Sequence, residues 1–154
     1  MQVQQVSNVK TKLEIARTIL EGLPDWFEVK QAREDYISDS ANQVFFAIFN
    51  DQHPIGFLCL KKTKKDTIEL AVMGVLKEYH RQKVGKKLFF EAKKWADKKG
   101  YAFLQVKTVV MGKYNEYDQT NHFYLSVGFK ELEVIETLWD KDNPCQIYVM
   151  SLNG

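Results

Sequence analysis

The sequence predicts a mixed α/β fold: a largely antiparallel sheet of six or seven strands, flanked by about four helices, with one central βαβ unit. Three observations predict it. Short apolar runs bounded by turn-forming residues alternate along the chain with segments of helical periodicity. Between Thr67 and Val109 the order is strand, helix, strand, which implies a parallel pair joined by a right-handed crossover. The 154 residues hold no internal repeat and no Pro/Gly-rich linker, so residues 1–154 read as one domain large enough to bury its own core.

Taken in order, Val3–Val6 reads as a short first strand. Val9–Leu20 sets Leu13, Ala16 and Leu20 at helical spacing, with Ser7 or Asn8 to cap it. Gly22–Pro24 stops that helix, and the segment DWFEVKQAREDYI reads as a second helix capped by Asp25. Gln43–Phe49 and Ile55–Lys61 are strands around the turn Asn50–Pro54, and a Lys-rich turn at Lys62–Asp66 leads into the strand Thr67–Leu76. From about Arg81 to Lys99, Val84, Leu88, Ala92, Trp95 and Ala96 share one helix face while lysines occupy the other, and Gly100 closes the helix. Phe103–Val109 is a strand and Asp118–Val127 a short helix ended by Gly128. Phe129–Leu138 and Gln146–Leu152 form a final antiparallel pair.

Composition narrows the function classes. With 45% apolar and 13% aromatic residues the chain folds rather than staying disordered. Apolar runs such as Val44–Phe49 and Ile55–Leu60, six residues each, and none longer than seven, are too short to span a bilayer. The opening MQVQQVSNVK lacks the basic-then-apolar layout of a secretory leader. Cys59 and Cys145 show no CxxC spacing and read as reduced core residues, so a cytoplasmic location is expected. His53, His80 and His122 have no metal-ligand spacing, so no metal is expected. Ser126 lacks a GxSxG context, and no GxxxxGK[ST] loop occurs. The net charge of +2 is unevenly spread. Lys77–Lys99 holds nine Lys or Arg against three Asp or Glu, whereas the rest holds 13 basic and 17 acidic residues. One basic element on a mildly acidic body suits a compact anionic ligand better than a nucleic acid.

That element is the turn carrying Arg81, Lys83 and Gly85 at a helix start, where backbone N–H groups and the helix dipole both favour a phosphate. Just before it, Gly74 interrupts an apolar strand. Such a glycine marks either close packing against a neighbour or a bulge that frees backbone groups for an extended, amide-containing ligand.

The stretch Val72–Ala96 resembles the cofactor motif of the GNAT superfamily of acyl-CoA-dependent N-acetyltransferases, Q/R-x-x-G-x-G/A. Aligned on Gly85 this chain reads His80-x-x-Lys83-x-Gly85, with His80 at the Q/R position and Lys83 at the first glycine. Asn121–Phe129, NHFYLSVGF, resembles the family signature fYxxxGF, its tyrosine at Tyr124, and Tyr117 stands where an asparagine is often found seven residues earlier. The order and separation of the two stretches are those of the family. The resemblance implies a GNAT-like fold and acetyl-CoA as co-substrate. It implies that backbone N–H groups of Arg81, Gln82, Lys83, Val84, Gly85 and Lys86 hold the pyrophosphate. The main chain of Met73, Gly74 and Val75 would then pair with the pantetheine arm, and part of the lysine face would meet the 3′-phosphate.

The chemistry explains these residue types. A primary amine with a pKa of about 10.4 is almost wholly protonated at neutral pH. A base must take a proton before the nitrogen attacks a thioester, a preplaced N–H near Val75 would steady the oxyanion, and an acid must meet the departing thiolate. Tyr124 is the candidate acid, or else only a helix residue packed under the sheet. Glu69, 16 residues before Gly85 and so spaced like the catalytic glutamate of the family's histone-acetylating branch, is the candidate base, directly or through a water chain. The alternative for Glu69 is a solvated strand-end carboxylate. Trp26, Phe27, Tyr36, Tyr117, Asp118 and Trp139 are candidates to line the acceptor pocket, with core packing the alternative for the aromatics, and the long Val110–Gln119 connection is expected to shape specificity. The sequence thus reads as an N-acetyltransferase acting on a small-molecule amine by direct attack in a ternary complex, with no covalent acyl-enzyme. No membrane partner is expected, and nucleic acid is disfavoured. A homodimer through a terminal strand such as Gln146–Leu152 is a family expectation. Acetylation of a protein lysine or N-terminus, and a non-catalytic acyl-CoA-binding or nucleic-acid-binding module, stay open as alternatives.

Overall fold

The computed structural model describes residues 1–152. Among them are seven strands, β1 (Gln2–Val6), β2 (Val44–Asn50), β3 (His53–Lys62), β4 (Thr67–Val75), β5 (Phe103–Val109), β6 (Lys130–Asp140) and β7 (Asn143–Ser151). The helices are α1 (Val9–Glu21), α2 (Lys30–Ser40), α3 (Val84–Lys98) and α4 (Asn115–Ser126), with a 3₁₀ turn at Lys77–Tyr79. The strands hydrogen-bond in the order β1-β2-β3-β4-β5-β7-β6, which is the expected mixed, mostly antiparallel sheet. The chain divides into two compact units: Met1–Lys61 with Ala71–Trp95, and Lys62–Leu70 with Ala96 onward.

In the first unit β1, β2 and β3 run antiparallel, with a register shift between Ile48 and Phe49. Helix α1 begins where Asn8 accepts from the Thr11 N–H at 3.0 Å, and it buries Ile15, Ala16, Ile19 and Leu20. These meet Phe45, Phe57 and Val72 in one apolar cluster. Gly74 is explained by that packing: a Cβ there would sit 3.0 Å from Ile19 Cγ2 and 3.1 Å from Leu23 Cδ1, so the bare backbone lets α1 approach β4. The expected second helix starts later than Asp25. Residues Asp25–Phe27 form turns, with the Trp26 and Phe27 N–H groups bonded back to the Leu23 carbonyl, and α2 begins at Lys30 without a side-chain cap. Asp25 instead lies 3.6 Å from Lys77 Nζ.

In the second unit Thr67–Leu70 of β4 pairs with β5 in parallel, from Thr67↔Phe103 to Leu70↔Val106, as the strand–helix–strand order predicts. β7 pairs antiparallel with both β5 and β6. The terminal strand β7 is therefore paired on both sides within the chain. β6 is the edge strand here, and Leu132, Val134, Leu138 and Trp139 on it are exposed.

Candidate functional site

In the first unit β4 ends at Val75, the chain turns through Leu76–Lys83, and α3 begins. Three contacts build the turn. The Leu76 N–H donates to the Ile55 carbonyl at 2.9 Å. His80 Nε2 lies 2.7 Å from the Val75 carbonyl, which can only accept, so this nitrogen carries the proton and the ring staples the turn to the strand end. Trp26 sets its ring edge-on to His80, centroids 5.5 Å apart, so one predicted acceptor-lining residue does reach the turn.

Helix α3 does not begin at Arg81, because Arg81 (φ +64°) and Lys83 (φ +63°) lie in the left-handed region, which no helix interior admits. Lys83, at the first glycine of the motif, thus holds a backbone that glycine would adopt without strain. The first turn-closing bond runs from the Lys87 N–H to the Lys83 carbonyl, 3.1 Å, so the N–H groups of Val84, Gly85 and Lys86 precede the intrahelical ladder. Val84, Leu88, Phe89 and Ala92 are buried and anchor the helix, while Arg81, Lys83, Lys86 and Lys87 are exposed. Two left-handed residues, a helix start with N–H groups outside the ladder and four exposed basic side chains at this turn together suit a phosphate-bearing ligand. The other predicted pocket residues of this unit pack locally: Phe27 and Tyr36 meet edge-on at 5.8 Å, and Trp26 and Phe27 lean on the apolar cluster.

In the second unit Tyr124 lies on α4, 7% exposed, its ring among those of Phe123, Phe129 and Tyr148 with centroids 5.6–6.1 Å away. Glu69 is not a solvated strand-end carboxylate. It is 5% exposed, and its Oε1 accepts from Gln105 Nε2 at 2.7 Å and lies 3.1 Å from Lys107 Nζ. The parallel register places Glu69 opposite Gln105, with Lys107 two residues further along the same face. Asp118 Oδ1 accepts from the Gly112 N–H at 2.7 Å and shapes the Val110–Tyr114 loop. The Tyr117 ring meets Tyr114 edge-on, and Trp139 stands exposed on β6.

The sequence did not single out Gln105 and Lys107, which the structure places on Glu69, nor Asn121 and Tyr148, which it joins beside Tyr124. Asn121 is fully buried and accepts from the Tyr148 hydroxyl at 2.5 Å. Burial, and secondarily the charge of Glu131, hold the Tyr148 phenol above its ordinary pKa. Burial likewise raises the Cys59 and Cys145 thiols, so neither is an activated nucleophile. Among the described residues no group of three or more His, Cys, Asp or Glu is placed to hold a metal ion, and no helix is long and apolar enough to cross a membrane.

The family model described as the acetyltransferase (GNAT) family matches residues 13–129. No curated protein matches the sequence. Among solved structures, the fold is similar to a protein of the GNAT acetyltransferase family from Desulfovibrio desulfuricans (TM-score 0.81, 17% identity, 99% of each chain covered). It is also similar to an aminoglycoside 6′-N-acetyltransferase complexed with coenzyme A (TM-score 0.79, 12% identity, 100% of this chain and 98% of that one). The ribosomal-protein-S18-alanine N-acetyltransferase of Escherichia coli has a TM-score of 0.76, at 18% identity over 99% of this chain and 96% of that one.

Proposed function

Since the chain belongs to the GNAT family of acetyltransferases, we propose that it moves an acetyl group from acetyl-CoA to the primary amine of a small molecule, by direct attack in a ternary complex. The turn from Leu76 to Lys83 carries this reading: its left-handed residues and basic side chains fit the pyrophosphate that such a co-substrate brings. The structural neighbour that holds coenzyme A supports the same co-substrate. When bound, acetyl-CoA supplies the thioester carbonyl that the amine attacks.

The chain supplies the rest. Val84–Lys86 N–H groups with Arg81 and Lys83 bind the phosphates, and the main chain of Met73–Val75 orients the pantetheine arm. The Val75 N–H is the candidate donor to the oxygen that gathers negative charge. Tyr124 gives its phenolic proton toward the departing sulfur, and Glu69, directly or through water, takes the proton the amine must lose. Trp26, Phe27, Tyr36, Tyr117, Asp118 and Trp139 are the proposed acceptor-lining residues. The free, buried cysteines suit a reducing, cytoplasmic setting.

The neighbouring aminoglycoside acetyltransferase favours a small polyamine acceptor. The neighbour that acetylates a ribosomal-protein alanine makes a peptide N-terminus the second reading. One assay separates them: acetyl-CoA with an aminoglycoside panel in one arm and N-terminal alanine peptides in the other, read by mass spectrometry. Transfer to aminoglycosides is the expected result, and transfer to the peptides alone would replace it. With the best acceptor, Tyr124→Phe is expected to lower kcat by about 10- to 100-fold with little change in the acetyl-CoA KM. Glu69→Gln is expected to lower kcat and alter the pH–rate profile; an unchanged profile takes Glu69 out of the mechanism.

A further inference from the structure

Asn121 sits one helical turn before Tyr124, on the same face of α4, and spends its whole amide inside the protein. Its Nδ2 donates to the Val109 carbonyl at the end of β5, 2.9 Å, and to the Tyr117 carbonyl in the first turn of α4, 2.7 Å. Carbonyl oxygens only accept, so the nitrogen must face them and Oδ1 must face Tyr148. The Tyr148 hydroxyl donates to that Oδ1 at 2.5 Å from the middle of β7, and its ring lies 6.1 Å from the ring of Tyr124. Three separate pieces of chain thus meet at one fully buried amide, and the ring that completes the junction flanks Tyr124 directly.

We propose that Asn121 and Tyr148 are positioning residues for Tyr124: they fix the rotation of α4 and brace the Tyr124 ring, so that its hydroxyl is held in one pose toward the cofactor sulfur. The proposal rests on Tyr124 being the acid. A helix tied down only by apolar contacts can turn slightly about its axis at small cost, and a phenol swings through a wide arc when it does. Two donated bonds and one accepted bond at a single side chain remove that freedom, because a turn would leave buried polar groups unpaired. The Tyr148 proton is committed to Asn121 and is not itself available for transfer. Burial, which keeps the Tyr148 phenol protonated, holds the junction intact over the pH range in which the enzyme would work.

The test reads the pose of Tyr124 without an acceptor. A phenol aimed at the sulfur stabilises a thiolate there, so it lowers the thiol pKa of bound coenzyme A. That pKa is followed by the ultraviolet absorbance of the thiolate, as the difference between complexes with coenzyme A and with desulfo-coenzyme A, which cancels tyrosinate. Tyr124→Phe is expected to raise the midpoint by about one unit, and Tyr148→Phe by at least about half as much, with coenzyme A affinity within about twofold of wild type. The double variant should match Tyr124→Phe alone, because Tyr148 acts only through Tyr124. Should Tyr148→Phe not fold, Asn121→Ser is read in the same way. If Tyr124→Phe leaves the midpoint unchanged, the acid role falls and the positioning role with it. If Tyr124→Phe shifts it and Tyr148→Phe merely melts earlier at an unshifted midpoint, the junction is structural only and the proposal alone is overturned.

Discussion

Lys83 holds a φ of +63° that costs an L-residue about 1–2 kcal/mol and costs glycine almost nothing. Lys83→Gly is therefore expected to stabilise the protein by about 0.5 kcal/mol once the looser unfolded chain is set against the relief of strain, a rise of about 1–2 °C in the thermal midpoint. Lys83→Ala should give no such rise. A melt in which alanine and glycine behave alike would mean the left-handed backbone is not what Lys83 endures. The Glu69 carboxylate depends on one neighbouring cation in the same local way. Lys107→Met leaves that buried carboxylate without the ammonium now 3.1 Å away and should cost about 1–3 kcal/mol in denaturant melts, while Lys107→Arg should restore most of it. Neither feature was legible in the residues alone. A lysine does not announce a positive φ, and only the aligned motif pointed to a glycine's place there. The Glu69–Gln105–Lys107 group depends on the register of β4 against β5, which no single strand's pattern states.

Elements were far more legible than their joints. β5 is expected at Phe103–Val109 and is found there, because Leu104 and Val106 alternate with polar residues in a segment cleanly bounded by Gly100 and the Val110–Tyr114 loop. α1 and the buried face of α3 follow from strong 3.6-residue periodicity. α2 was misplaced because it buries only Ile37 and Ser40, so its pattern is too faint to locate a start, and Asp25 resembled a cap while serving the turn. That β7 would lie between β5 and β6 could not be read from its sequence, since chain order does not state strand order. The packing of α1 on β4 leaves no room for a side chain at Gly74. Gly74→Ala drives a methyl against Ile19 and Leu23, both nearly fully buried, and should cost about 1–2 kcal/mol. Ile19→Val in the same background should recover part of that loss, and strictly additive effects would contradict the packing account.

Across the whole molecule, charge and burial set the solution behaviour. The Cys59 thiol is raised by desolvation, against which Lys12 pulls weakly, so the folded state keeps its proton after the unfolded chain has lost it. Its contribution to stability is full below about pH 8.5 and is lost as pH rises above that, by up to about 1.4 kcal/mol per pH unit. Cys145 and Tyr148, raised in the same direction, add to the loss. Urea melts from neutral pH to about pH 10 should show this decline, and Cys59→Ala should flatten it. Against a body that is otherwise mildly acidic, the basic segment Lys77–Lys99 concentrates positive charge at the turn that starts α3. The claim that joins residue, element and molecule is that this turn binds acetyl-CoA, and calorimetric titration of acetyl-CoA into the purified protein, beside the 3′-dephospho compound, tests it most directly. The account predicts a single site with a Kd of about 1–100 μM, weaker without the 3′-phosphate. No heat up to millimolar acetyl-CoA would contradict it.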